Sequence, residues 1–182
     1  MNGLQVGILV DDERDLLMLQ QAAQILDRFN ISYEVRYLSA HFSPRAVSDY
    51  AARAHERGIT VIIAASRGAA NLAGVIASRT ILPVIGVPLD TPSFSGLDSL
   101  LATVQMPAGI PVATTAIGAA GAENACLLAS EILAIKDASL QQKLVRYRKE
   151  MASIVEEKGD RLRKQGYRSY PQEKNGSKSS LQ

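Results

Sequence analysis

Five short apolar runs, each separated from the next by a stretch of helical periodicity, leave this chain little choice of architecture. Residues 4–10 (LQVGILV), 32–38 (SYEVRYL), 60–65 (TVIIAA), 83–88 (PVIGVP) and 111–115 (PVATT) read as strands. After the first run, Leu16, Leu19, Ala22, Ala23 and Leu26 fall on one helical face. After the second, Pro44 suits a first helical turn, and Gly58 ends a helix that reaches about Arg57. A small-residue helix through Ser78, a short helix over 98–105 and an Ala-rich helix over 119–134 follow the other three. Strand and helix in repetition predict a parallel sheet covered on both faces. The fold class is therefore α/β, a three-layer α/β/α sandwich of flavodoxin-like or Rossmann-like type. Ligands in such sheets sit beyond the carboxyl ends of the strands, which singles out the loops 11–15, 39–44, 65–74 and 89–97.

One more helix is expected from about Ser139 to Arg163. Leu140, Leu144, Tyr147, Met151 and Ile154 are spaced in it by alternating steps of four and three, a helix–helix seam. Docking on its own domain and on a neighbouring subunit both fit, the neighbour being preferred. The expected organisation is an α/β domain over 1–135, an oligomerisation helix over 136–165 and a polar, disordered tail over 166–182. From Lys136 onward basic residues exceed acidic ones by six, which leaves residues 1–135 at −4 within a whole-chain charge of +2. A basic tail can attract nucleic acid, but no stacking aromatics or known binding module accompany it, so a solvated helix face is the reading and no nucleic-acid partner is expected. No apolar run is long enough for a signal peptide or a membrane span, and the single Cys126 forms no intramolecular disulfide. A cytoplasmic location without membrane association is the expectation.

The opening VGILVDDERDLLMLQ is similar to the start of a response-regulator receiver domain, where an acidic pair helps hold a metal beside a phosphoacceptor aspartate. That aspartate has to close the third strand, and a lysine has to follow the fifth. Here the third strand ends Ala64–Ala65–Ser66–Arg67 and the fifth ends Ala113–Thr114–Thr115, so this reading is excluded. Asp11 and Asp12 are better read as a solvated acidic helix start. Of the two histidines, His55 lies among charged neighbours on a helix, whereas His41 lies just beyond the second strand, where chemistry is expected.

Two segments add a specific resemblance: SAHFSP at 39–44 and SGLDSLLATVQMPAGIPVATTAIGAAGAENACLLASEIL at 95–133. Together they resemble the carboxyaminoimidazole ribonucleotide mutase and aminoimidazole ribonucleotide carboxylase family, commonly called PurE, from about Val6 to Ala134. The resemblance implies an enzyme of de novo purine biosynthesis that moves a carboxylate from an exocyclic nitrogen to a ring carbon of an aminoimidazole ribonucleotide. It implies no metal and no organic cofactor, and a homo-octamer with an exchanged C-terminal helix. His41 would be the catalytic proton shuttle, since an imidazole with an unperturbed pKa of about 6.5 can both take and give a proton near neutrality.

The same resemblance places substrate-binding positions at Asp12, Arg14, Asp15, Ser39, Ala40, Phe42, Ser66, Arg67, Gly68, Asn71 and Leu72. Ser39, Ala40, Asp15, Gly68, Ala69, Ala70, Leu72 and Gly74 match the family pattern, with Asp15 at the ribose. Asp11, Asp12 and Arg14 stand where it has Gly, Ser and Ser, and Phe42 stands where it has a phosphate-binding Arg. Arg67 replaces a Gly, Asn71 a second His and Ala73 a Pro. Anionic Asp11 and Asp12 would repel a phosphate, and Phe42 cannot offset them. Arg14 and Arg67 either rebuild an anion site or pair with Asp11, Asp12 or Glu13 across the loops. Carboxyl transfer on the ordinary ribonucleotide is the leading expectation. A diverged paralogue with another, unphosphorylated substrate, or a non-catalytic ligand-binding homologue, is the alternative.

Overall fold

The computed structural model describes residues 4–169. Part of the expected tail, from residue 170 onward, lies outside the described residues. Five parallel strands form one sheet in the order β2-β1-β3-β4-β5. They are β1 (Val6–Val10), β2 (Tyr33–Tyr37), β3 (Val61–Arg67), β4 (Val84–Leu89) and β5 (Ala113–Thr114). Every residue of β1 and β4 is buried, as continuous apolar runs in a parallel sheet should be. The edge strand β2 is only partly covered, which is why it alternates and carries Glu34 and Arg36.

Helices α1 (Leu16–Phe29) and α5 (Ala119–Ala134) pack together on one face of the sheet. The other face carries α2 (Pro44–Arg53), α3 (Leu72–Ala77) and α4 (Leu97–Val104). The apolar stripe of α1 behaves as its spacing predicts: Leu19, Ala22, Ala23 and Leu26 are buried. Under α2 and α3 the core contains Leu9, Val47, Ala51, Ile62, Leu72 and Ile76, all fully buried. Close packing explains two glycines. A Cβ at Gly86 would strike the Thr103 side chain, and one at Gly121 would strike the carbonyl of Ala116.

Three elements differ from their sequence-based bounds. α2 gives way at Ala54 to a 3-10 turn over His55–Arg57, closed by Gly58 at φ 88°. β5 is shorter than 111–115, Pro111 having no N–H to contribute, although Thr115 N still donates to Gly86 O at 3.1 Å. β3 runs on to Arg67, with Ser66 opposite Pro88 and Arg67 opposite Leu89. That extension carries two ligand-loop residues on regular strand.

The chain divides into two compact units, the first ending at Gln141 and the second beginning at Gln142. Helix α6 (Ala138–Gln165) starts in the first and supplies the helix of the second. Gly166, at φ 74°, caps it by donating to Leu162 O at 2.9 Å. Among the described residues no helix is long and apolar enough to cross a membrane.

Candidate functional site

The register sets Val10 beside both Tyr37 and Ala65, so β1, β2 and β3 finish close together. Their following loops therefore converge, and with them the acids of 11–15, the SAHF turn and the 67–71 segment.

The turn after β2 is built by two serines. The N–H of Ser39 donates to Ser43 Oγ at 3.0 Å, and Ser43 Oγ donates back to the Ser39 carbonyl at 3.0 Å. The N–H of Phe42 donates to Ser39 Oγ at 3.3 Å. Ser39 is buried and its hydroxyl shapes the turn. Ala40 is half-buried, while His41 is exposed at the turn's tip and Phe42 is 93% exposed.

A second structural serine lies outside the residues singled out from sequence. Ser99, fully buried in α4, accepts the N–H of Gly68 at 2.8 Å and donates to the carbonyl of Leu89 at 2.7 Å. It ties the β3 loop to the end of β4. Its signal was a polar residue inside the apolar SGLDSLL helix. In the same loop Gly68 adopts φ 65° and Ala70 φ 41°, so the backbone turns sharply before α3. Ser66 is buried in the strand end, and Leu72 is fully buried in the hydrophobic core.

Three carboxylates and two guanidiniums meet at the end of β1. Arg14 Nε donates to both oxygens of Asp12, at 2.9 and 3.0 Å, and its Nη2 joins them. The N–H of Arg14 also reaches Asp12 Oδ1 at 2.9 Å. These hydrogen bonds hold the Asp12 carboxyl down at about 2. Arg67 forks onto Asp15, with Nε 3.2 Å from Oδ2 and Nη2 on Oδ1, and passes 3.9 Å from Asp12. Both arginines thus pair with loop acids: Arg14 with Asp12, as one of the two arrangements open from sequence had it, and Arg67 chiefly with Asp15, which was not among the acids expected. Asp15, expected at a ribose, is buried under Arg67.

Asp11 has neither arginine. Its Oδ1 is buried without a hydrogen-bond partner. Burial pushes this carboxyl up to about 6; the charges of Asp15 and Asp12 add to the rise, while a backbone hydrogen bond and His41 oppose it. Across the loops, Asn71 Nδ2 lies 3.1 Å from His41 Nε2. The site therefore offers an accessible imidazole, a protonatable acid beside it and two guanidiniums already matched to acids. Among the described residues no group of three or more His, Cys, Asp or Glu is arranged to hold a metal.

Residues 5–153 match the family model described as AIR carboxylase. The chain is 52% identical over 165 residues to the N5-carboxyaminoimidazole ribonucleotide mutase of Pyrococcus horikoshii, covering 91% of this chain and 92% of that one. It is 48% identical over 170 residues to the protein of the same name from Thermotoga maritima, covering 93% and 98%. Among solved structures, Treponema denticola PurE superposes with a TM-score of 0.78 at 25% identity, over 87% of this chain and 98% of that one.

Proposed function

The chain belongs to the AIR carboxylase family, and from that membership we propose that it transfers a carboxyl group on an aminoimidazole ribonucleotide, as an N5-carboxyaminoimidazole ribonucleotide mutase of purine biosynthesis. The observation that carries this reading is near-half identity to named mutases along almost the whole of both chains. The site supports it with an accessible imidazole, His41, at the carboxyl ends of the strands.

The chemistry needs little more than one group that can hold a proton. Breaking the exocyclic N–CO₂ bond releases CO₂ and returns an electron pair to nitrogen, which takes up a proton. The neighbouring ring carbon, electron-rich as an enamine carbon, attacks CO₂ and must then lose its own proton. One proton is consumed and one is released, so a single acid/base, His41, closes the balance. The enamine supplies its own nucleophile, so no organic cofactor is required by the reaction. Confining CO₂ between the two steps favours recapture over escape.

Asp12, Arg14, Asp15, Ser39, Ala40, Phe42, Ser66, Arg67, Gly68, Asn71 and Leu72 form the neighbourhood of the substrate in this reading. Ser39, Ser66 and Leu72 act there through the backbone they shape. The protein works as a cytoplasmic homo-octamer, residues 1–135 being the catalytic domain and 136–165 the assembly helix.

The deciding experiment is turnover of N5-carboxyaminoimidazole ribonucleotide by the full chain and by His41→Asn. Turnover by the natural sequence that falls at least a hundredfold in His41→Asn, with substrate affinity kept within about threefold, is the expected result, given the 10²–10⁴-fold worth of a positioned acid/base. A folded protein that neither binds nor converts the ribonucleotide overturns the assignment.

A further inference from the structure

Asn71 is placed to do something that no titratable residue could do at its position. Its Nδ2 lies 3.1 Å from His41 Nε2. With the amide set this way round its nitrogen donates and Nε2 accepts. A neutral imidazole carries a single proton, which is then on Nδ1, the nitrogen that Asn71 does not touch. Asn71 itself is well anchored. It follows the tight turn at Ala70, and its carbonyl accepts the N–H of Val75 at 3.0 Å. Its Oδ1 is buried and has no hydrogen-bond partner. A buried acceptor left empty calls for a physical reason.

We propose that Asn71 is a positioning residue for proton transfer: its amide decides which nitrogen of His41 carries the proton, Nδ1 at rest and Nε2 once the amide turns over. When the exposed ring takes a second proton from solvent on Nε2, the imidazolium donates from both nitrogens, and an N–H of Asn71 facing Nε2–H would be repelled. Half a turn of the amide exchanges Nδ2 for Oδ1 and gives the charged ring an acceptor. The empty Oδ1 is the acceptor for that second state. When the ring then gives up its Nδ1 proton, the lone pair left on Nδ1 is free to take one back. An amide keeps the same charge through this cycle, so the proton count rests on His41 alone. The mechanistic consequence, though not the tautomer itself, rests on the carboxyl-transfer reading.

The test is the tautomer, read from long-range proton–nitrogen correlation spectra of ¹⁵N-histidine in the full chain. The chain has two histidines, so two rings appear, and the spectrum of His41→Asn assigns them. Spectra are recorded over a pH series and read at its alkaline limit, where the nitrogen shifts no longer change. The natural protein is expected to show His41 protonated on Nδ1. Asn71→Leu, which offers neither donor nor acceptor, should return the ring to the Nε2–H form that free histidine prefers. Asn71→Asp, isosteric and purely an acceptor when ionised, should draw the proton fully to Nε2. Both variants should lower kcat at least tenfold with KM within about threefold. A merely structural Asn71 would not invert a tautomer. Nε2–H in the natural protein overturns the proposal, as does an unchanged tautomer in Asn71→Asp should Asn71→Leu fail to fold. Nδ1–H in a protein without turnover would sink the carboxyl-transfer reading and leave the tautomer assignment standing.

Discussion

Replacing Asp11 by Asn should stabilise the protein at neutral pH and should do nothing for it in acid. The Asp11 carboxyl is held at about 6 instead of the usual 3.8, chiefly because it is buried. Each pH unit of such displacement corresponds to 1.36 kcal/mol, so ionising Asp11 in the folded state costs at most about 3 kcal/mol. Water reaches part of this side chain, and the expected saving is therefore about 1–2 kcal/mol. The sign follows from proton binding. Between 3.8 and about 6 the folded protein holds a proton on Asp11 that the unfolded chain has lost, so stability falls as pH rises through that window. Above it the cost is complete; below it both states are protonated and the cost vanishes. Asp12, held at about 2 by Arg14, acts in the opposite sense and at lower pH, so the two do not mask each other. Asn has nearly the same shape as the neutral acid and does not titrate. The assay is urea unfolding of both proteins at fixed concentration, followed by circular dichroism at pH 3.5 to 8. The difference between them should be near zero at pH 3.5, grow through pH 4–6 and stay level above. A difference that is constant with pH, or a variant less stable at pH 7, would refute the electrostatic account of Asp11.

Arg67→Met strips the buried Asp15 of its cation and should cost about 2–3 kcal/mol, less than a fully enclosed pair because the Arg67 side chain is partly solvated; adding Asp15→Asn should recover most of that loss in urea unfolding. Arg14→Ala, removing a side chain that is largely in solvent, should lower stability by no more than about 1 kcal/mol, because Asp12 keeps the backbone N–H of residue 14. Gly121→Ala places a Cβ against the Ala116 carbonyl and should prevent recovery of folded protein, whereas Gly159→Ala in open space on α6 should raise stability by up to about 1 kcal/mol. Phe42→Arg adds a guanidinium at an almost fully exposed position and should tighten binding of a phosphate-bearing ligand roughly tenfold in a titration at low salt, without changing the fold.

The sheet was legible because burial on both faces turns each central strand into a run of Val, Ile, Leu and Ala that no amphipathic helix imitates. The helix ends were legible where a single residue dictates them: Pro44 opens α2, and Gly58, at φ 88°, closes the turn after it. The site was legible only as a set of loops. That His41 projects beyond β2 follows from strand order, and Asn71 was singled out as a site position, but nothing in the sequence pairs the two across thirty positions. The Arg67–Asp15 pair spans fifty-two positions and depends on β3 running two residues further than its apolar stretch. Ionic partners at that separation are chosen by the geometry of the folded sheet, whereas local spacing reports only which groups are available. Hence the two fates of Arg14 and Arg67 could be stated from sequence and not decided. Asp11, seen first as a solvated helix start, turned out to have a buried oxygen, because depth at a strand end depends on the loops that fold over it.

The charged and polar residues of these loops do not act singly. Arg14 sits on Asp12, and Arg67 on Asp15 with Asp12 just beyond; Asn71 sits on His41. Asp12 and Asp15 are each matched by a guanidinium within the same three loops, whereas Asp11 is met by holding its proton to higher pH. The matching explains how the scaffold accommodates them, since burying part of an unpaired charge would cost more than the loops supply. It also limits what a single substitution can reveal. Arg67→Gly orphans Asp15, so lost activity in that variant would report a damaged loop and not a catalytic arginine. Exchanging residues 11–15, Phe42 and Arg67 together is the informative change. A loop that regains room for a phosphate without an unpaired acid should bind the ribonucleotide more tightly than the natural chain. An exchange that leaves affinity unaltered would mean that Arg14 and Arg67, paired as they are, already serve the phosphate.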